Sequence, residues 1–243
     1  MKTVFINCSP KKKFSASAHF LGICRLAVYG DVVKTNVRSK GDYKKVLEHL
    51  KGADNTVFVL PLYVDGVPSH ILGFMKELEN FCRENNITLN IYVISNGGFI
   101  EGEQNQVLMK IFENFCARSG LTWCGGVGIG GGVMLNVMRM LFLVFTGILL
   151  LSVAISGIEH GEWLPQQSFI IYAKQLALIL FLHAGVIAYV WKMGLAISKS
   201  NKFGIRYTRV MMPSFLFIIV ADFFFTAISL FKGGMFRGWL SEK

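Results

Sequence analysis

Short apolar runs alternate with amphipathic segments along residues 1–132. The runs Thr56–Leu60 and Asn90–Ser95 are apolar almost throughout, which is typical of strands buried on both faces of a parallel sheet. Between the runs, apolar residues recur three and four positions apart, which indicates helices. Five strands separated by helices predict an α/β fold with a parallel sheet in the order 2-1-3-4-5. The predicted strands are Thr3–Asn7, Val32–Val37, Thr56–Leu60, Asn90–Ser95 and Leu121–Ile129, and the predicted helices are Ser17–Val28, Tyr43–Leu50, Ile71–Asn85 and Gln104–Ser119.

Long apolar runs replace this alternation after Gly132. Met140–Ile158 holds 19 residues without a charge, and Gln175–Trp191 holds 17. A third run, Val210–Phe231, holds 22 residues and is interrupted by Asp222. Because a helix needs about 20 apolar residues to cross a hydrocarbon core of ~30 Å, we expect a helical membrane region over 133–243. Its spans are predicted at about 138–158 and 169–192, while 210–231 crosses the bilayer, lies along its inner surface or packs on the first domain.

Charge distribution predicts how this region is oriented. The turn between the first two runs carries Glu159 and Glu162 and no Lys or Arg, whereas five Lys and Arg residues lie from Lys192 to Arg209. The positive-inside tendency then places the chain in the cell membrane with residues 1–132 on the cytoplasmic side. The net charge of +10 divides into +4 over 1–132 and +6 over 133–243. The basic residues of the second part flank the apolar runs, so we expect membrane lipid as a partner and no nucleic acid. The five cysteines form no C-x-x-C pair, and no metal-ligand spacing is present.

Three loops of the predicted sheet carry the candidate chemistry, because ligands of such folds bind beyond the carboxyl ends of the strands. The loop after the first strand offers hydroxyl groups, lysines and a helix N-terminus, which suit a phosphate monoester. The loop after the third strand offers apolar groups for a flat ring, and the loop after the fourth offers two glycines and polar groups for its edge. Each loop taken alone also reads as an ordinary turn, and it is their order along the chain that favours a ligand site.

The three loops resemble those of the NAD(P)H-dependent FMN reductase family of the flavodoxin-like superfamily. The resemblance rests on I-N-C-S-P-K-K-K-F-S-A-S (6–17), P-L-Y-V-D-G-V-P (61–68) and N-G-G-F-I-E-G-E-Q-N (96–105), supported by 115–132, and it covers about 1–132. It implies a flavodoxin-like FMN-binding domain over 1–132, non-covalent FMN, and NAD(P)H as the co-substrate. The implied cofactor-binding residues are Ser9, Lys11, Ser15, Ala16 and Ser17 for the phosphate, Pro61, Leu62, Tyr63 and Val64 for the ring, and Asn96, Gly97, Gly98 and Phe99 for its other side.

The resemblance implies an oxidoreductase that passes hydride from NAD(P)H to FMN and on to a quinone, a flavin or another small-molecule acceptor. No catalytic side chain is expected, because the flavin carries the chemistry. Cys8 and Lys11 depart from the usual Gly and Arg of the family's first loop, and Ser15-Ala16-Ser17 stands where members often have Ser-Asn-Thr. The departures at Cys8 and Ala16 keep open a structural domain that has lost FMN. A separate alternative is a non-enzymatic electron carrier for a membrane partner. A homodimer is one option for the oligomeric state.

One helix that the implied fold requires is missing from the elements predicted for 1–132. A flavodoxin-like sheet needs a fifth helix, and only membrane-like helices follow Gly132. The segment 207–217 is similar to an element that follows this fifth helix in some family members. We therefore predict a membrane hairpin inserted before the last helix, whose returning end near 194–199 covers the sheet. The formal G-x-G-x-x-G ending at Gly131 precedes an apolar helix, so we assign no nicotinamide site there.

Overall fold

The computed structural model describes residues 1–160, 163 and 166–231, arranged as six strands and seven α-helices. The strands are β1 (Lys2–Asn7), β2 (Asp31–Asn36), β3 (Asn55–Pro61), β4 (Asn90–Asn96), β5 (Thr122–Gly130) and β6 (Gly204–Arg209). The helices are α1 (Ala16–Leu26), α2 (Tyr43–Leu50), α3 (Ser69–Glu84), α4 (Gln106–Ser119), α5 (Gly132–His160), α6 (Gln166–Ile197) and α7 (Ser214–Phe231).

All six strands form one parallel sheet in the order β2-β1-β3-β4-β5-β6. This confirms the α/β class and the predicted order of the first five strands. The predicted number of strands is wrong by one, because β6 pairs with β5 from Gly125↔Gly204 to Gly130↔Arg209. β6 lies within the range 133–243 that the sequence predicts as helical. Its side chains alternate, with Ile205 and Tyr207 packed on the core, so it reads as an amphipathic edge strand.

Helices cover both faces of the sheet, as the continuous apolar strands require. On one face, Val4, Ile6 and Phe58 pack with residues of α2, α3 and α4 in a single buried cluster. On the other face, α1 lies beside the carboxyl-terminal half of α6. Gly194 of α6 approaches α1 so closely that an added Cβ would lie 2.7 Å from the Cβ of Ala27. The end of α6 therefore serves as the covering helix that the sequence predicts at this position.

The glycines of β5 are required by close backbone approaches. At Gly125, where φ is +113°, the register of β5 against β4 shifts, and an added Cβ would overlap the backbone of Gly204. At Gly128, an added Cβ would lie 2.7 Å from the ring of Tyr207. A side chain at either position would push β6 away from the sheet. This packing gives the glycine run a structural explanation that involves no nucleotide.

The helices α5 and α6 form an antiparallel hairpin. The hydroxyls of Thr146 and Tyr172 lie 3.1 Å apart, as do those of Ser152 and Ser168. Two helical segments, Gly132–Ile158 and Gln167–Ile197, are long and apolar enough to cross a membrane. The acidic turn with Glu162 lies largely outside the described residues. The orientation of the hairpin across a membrane therefore stays a prediction.

The helix α7 belongs to a second compact unit that begins at Met211, and we describe it by itself. It follows Pro213 directly, and the side chain of Asp222 on it is exposed. Its apolar part, Ser214–Ala227, is shorter than the two long helices. Residues 232–243, which follow the third apolar run, lie outside the described residues.

Candidate functional site

The direction of chain progression across the sheet reverses between β1 and β3, which are neighbours in the order β2-β1-β3. At such a switch point, the connections that follow the two strands lead to opposite faces and leave a crevice at the carboxyl edge. The segments 8–15 and 62–68 follow β1 and β3 at this edge, and 97–101 follows the neighbouring β4. The three predicted loops are therefore neighbours in the fold.

In the first loop, two serines are buried and the lysines are exposed. Ser9 and Ser15 are buried, whereas Lys11–Phe14 are exposed. The Ser9 hydroxyl oxygen accepts a hydrogen bond from the Lys11 amide at 3.3 Å, and the Ser15 hydroxyl oxygen caps α1 by accepting from the Ala18 amide at 3.1 Å. Because each hydroxyl is used as an acceptor, its proton remains available for a ligand.

Asn96, the last residue of β4, joins the first turn of α1 to the end of β3. It is buried, and its side-chain nitrogen Nδ2 donates to the Ser17 hydroxyl oxygen at 3.1 Å and to the Leu60 carbonyl at 3.0 Å. Its backbone carbonyl accepts from the Leu62 amide at 2.9 Å. The structure shows that Asn96 connects the first turn of α1, the end of β3 and the first residue of the loop after β3. Its place beside the ring stays a prediction.

The loop after β3 is a tight turn with unusual backbone angles. Tyr63 and Gly66 bond to each other through both backbone groups, and the two residues between them have positive φ, 45° at Val64 and 57° at Asp65. A β-branched residue in this conformation is strained, and such strain is concentrated at ligand sites. Tyr63 is 46% exposed and Val64 is fully exposed, so this turn presents apolar surface to the solvent.

The loop after β4 is open where a ring edge would approach. The Gly97 amide donates to the Ile129 carbonyl at 2.8 Å, which fixes the backbone. A Cβ added at Gly98 would meet no atom within 4 Å, and the neighbouring Phe99 is 62% exposed. Small residues next to an exposed aromatic leave room for a planar ligand at this position.

This donor set fits the two ends of an FMN molecule. At the phosphate end, Ser9, Ser15 and Ser17 provide hydroxyls, the first turn of α1 provides backbone amides, and the exposed Lys11 provides a positive charge. At the ring end, Leu62, Tyr63 and Phe99 provide apolar surface. The assignment of individual residues to the cofactor stays a prediction.

Sequence reasoning missed several residues that shape the site. The side-chain oxygen of Asn7 accepts from the Ser9 amide at 3.2 Å, and His70 of α3 bonds the Cys8 carbonyl at 3.0 Å. Asn136 of α5 donates to the Phe14 carbonyl at 2.9 Å. An Asn at the end of a strand is a recognisable turn signal, but the contacts of His70 and Asn136 depend on the tertiary fold.

The described residues near the site do not support thiol chemistry or metal binding. Burial raises the pKa of the Cys8 thiol, which keeps it protonated and unreactive. All five cysteines are buried and unpaired, and the described residues hold no group of three potential metal ligands. Burial, with smaller contributions from the charges of Arg139 and His183, lowers the pKa of His19 to about 3.

The sequence matches no protein-family model and no curated protein sequence. Similar solved structures include the Trp repressor binding protein from Bacillus subtilis, 19% identical, which covers 51% of this chain and 81% of its own with a TM-score of 0.42. An NAD(P)H:quinone oxidoreductase from Methanothermobacter marburgensis is 14% identical and covers 57% and 92%, with a TM-score of 0.42. An FMN-dependent NADH-azoreductase from Bacillus anthracis is 16% identical and covers 51% and 85%, with a TM-score of 0.35. Similarity at this level assigns no activity to this chain.

Proposed function

We propose that the chain is a membrane-associated flavoprotein oxidoreductase that binds FMN at the carboxyl edge of its sheet. It takes hydride from NAD(P)H and passes the reducing equivalents to a quinone, a flavin or another small acceptor. The observation that carries this proposal is the position of Asn96 at the end of β4, whose hydrogen bonds connect the first turn of α1, the end of β3 and the start of the loop after β3, beside the switch point. A shared buried anchor between phosphate-type and ring-type loops supports one continuous ligand site.

The phosphate end of the site is formed by residues held in place before any ligand arrives. The Ser15 cap fixes the start of α1, so that the first amides of the helix point outward with a favourable dipole. Ser9 is held through its amide by Asn7. These contacts reduce the ordering that binding a dianionic phosphate would otherwise require.

The ring end of the site requires shape rather than acid–base side chains. Bound FMN would itself supply the hydride and electron chemistry, which leaves the protein to bind, orient and shield it. Tyr63 and Phe99 would cover the ring, and the open space at Gly98 would admit its edge.

The helical hairpin supports a lipophilic acceptor. Its first helix, α5, begins at Gly132, two residues after β5 ends at the carboxyl edge. The Gly132 amide donates to the carbonyl of Gly97, in the loop after β4, at 2.9 Å. An apolar hairpin that begins next to the loop after β4 would bring a quinone dissolved in the membrane close to the ring of a bound FMN.

A steric block at Gly98 tests the proposal. A leucine at Gly98 would project into open space and fill the ring site, so we expect Gly98→Leu to lose FMN and NADPH oxidation. The matched control is Gly22→Leu, which also faces open space but lies within α1. Equal flavin content and equal quinone reduction by the two variants would contradict the proposal.

Reduction of the flavin by NAD(P)H distinguishes an enzyme from an electron carrier, which is the main alternative. If the chain is a reductase, stopped-flow mixing with NADPH should bleach the flavin rapidly, and a quinone should then restore its colour. A flavin that NADH and NADPH both fail to reduce, while a chemical reductant succeeds, would instead identify an electron carrier.

A further inference from the structure

A cationic and aromatic tip of the first loop lies at the base of the hairpin. The tip comprises Lys12, Lys13 and Phe14, all of them exposed. The Phe14 carbonyl accepts a hydrogen bond from Asn136, in the second turn of α5. Phe14 has a φ of 52° and its side chain is 57% exposed. Phe14 therefore presents its ring to the solvent from a backbone conformation that is rare for a large side chain.

The hairpin places this tip at the level where α5 would enter a bilayer. Beyond Arg139, the uncharged segment Met140–Ile158 has 19 residues, or about 28 Å of helix at 1.5 Å per residue. This length matches a hydrocarbon core of ~30 Å, so the membrane boundary falls close to Arg139. Asn136, which holds the tip, precedes Arg139 by less than one turn. The ring of His19 in α1 lies 5.5 Å from that of His183 in α6, so the returning helix meets the domain beside the same loop.

We propose that the tip Lys12–Phe14 binds the headgroups of anionic phospholipids around the base of the hairpin. Among the described residues, neither lysine forms an ion pair, so both ammonium groups are available to phosphate oxygens. Lysines within a Debye length of an anionic leaflet are attracted to it, and an aromatic ring beside them inserts at the interface. Both features fit a lipid surface better than a soluble anion, which would leave the Phe14 ring in water.

Lys11 differs from its two neighbours because its backbone amide donates to the hydroxyl oxygen of the buried Ser9. Its exposed side chain is assigned to the cofactor site only by the proposed function. The tip would therefore hold the phosphate loop against the bilayer while Lys11 serves the bound ligand. The inference rests on the proposed function only in requiring that the hairpin enters the membrane.

Lipid quenching of a fluorophore tests the inference on the full chain in nanodiscs. Lys13→Cys carries the label, and the matched control is Leu26→Cys, which is exposed at the opposite end of α1. The native cysteines are buried, so the label goes to the introduced thiol. In nanodiscs of phosphatidylcholine and phosphatidylglycerol with spin-labelled lipid, we expect strong quenching at position 13 and little at position 26. Equal quenching at the two positions would overturn the inference.

The charge of the lipid and the content of flavin complete the test. Quenching at position 13 should decrease in phosphatidylcholine alone and at high salt, and should persist when inorganic phosphate replaces chloride at constant ionic strength. Quenching that ignores the anionic lipid, or that phosphate abolishes, contradicts a headgroup site. Flavin absorbance is recorded on the same samples. A quenched label without flavin would retain the inference and remove the proposed enzyme, whereas flavin with an unquenched label would do the reverse.

Discussion

Replacing Asn96 with alanine should damage the site more than the rest of the fold. The substitution removes two hydrogen bonds, at 3.1 Å to Ser17 and at 3.0 Å to Leu60. It leaves the Leu60 carbonyl and the Ser17 hydroxyl oxygen buried without this donor. A buried hydrogen-bonding group that loses its partner costs about 1–3 kcal/mol, so we expect a loss of about 2–3 kcal/mol in the free energy of unfolding.

The same change should weaken FMN binding by about tenfold, because the ligand would have to order loops that Asn96 now holds together; this corresponds to about 1.4 kcal/mol. Flavin fluorescence titration of the apoprotein measures the affinity, and thermal unfolding in detergent measures the stability. The matched control is Asn90→Ala, at the amino end of the same strand, where a single hydrogen bond of 3.0 Å joins Asn90 to Asn55. We expect it to lose about 1 kcal/mol of stability and to keep its affinity for FMN. Equal losses of affinity in the two variants would refute the role assigned to Asn96.

Three further predictions concern the rest of the fold. Gly194→Leu should lower the melting temperature, since its Cβ would overlap α1 and overpacking costs about 1–3 kcal/mol, whereas Gly147→Leu faces open space and should not. Ser15→Ala removes the cap of α1 and should cost about 1 kcal/mol, together with a measurable loss of FMN affinity by titration. The pKa of His19 is lowered to about 3, so only the unfolded chain takes up its proton below about pH 6.5. Melting temperatures should therefore fall as the pH decreases from about 6.5 towards 5, and His19→Phe should flatten this slope; an unchanged slope would contradict the assignment.

The sheet was largely predictable because its strands are continuous apolar runs. β3 and β4 are buried on both faces, and only strands covered by helices on both sides can hold such sequences. β6 escaped prediction because it is an edge strand with two arginines. Its alternation of Ile205, Arg206 and Tyr207 was the available signal, although it lies among membrane-like helices, where a strand is not expected.

The apolar run of α6 combines two environments that composition does not distinguish. Its first half packs on α5, whereas Val186, Val190 and Met193 are buried against the domain. Lipid tails and a protein core both select apolar residues, so the sequence predicts one span over 169–192. The division of α6 between the two follows from the tertiary fold.

The position of the site was predictable from where the strands end, but its internal connections were not. Each candidate loop begins at the carboxyl end of a strand, which the topology rule identifies without any contact information. The bond from Asn96 to Ser17 joins residues 79 positions apart, and no local pattern reports such a distance. Similarly, the link from Asn136 to Phe14 spans 122 positions and joins the hairpin to the first loop.

The absorbance spectrum of the purified full chain tests the central claim most directly. The protein is extracted in mild detergent, incubated with FMN and freed of unbound ligand. We predict the near-ultraviolet and visible bands of a bound flavin in stoichiometric amount, absent from Gly98→Leu and bleached by NADPH. A colourless wild-type protein that fails to take up FMN, although it is folded by circular dichroism, would contradict the account.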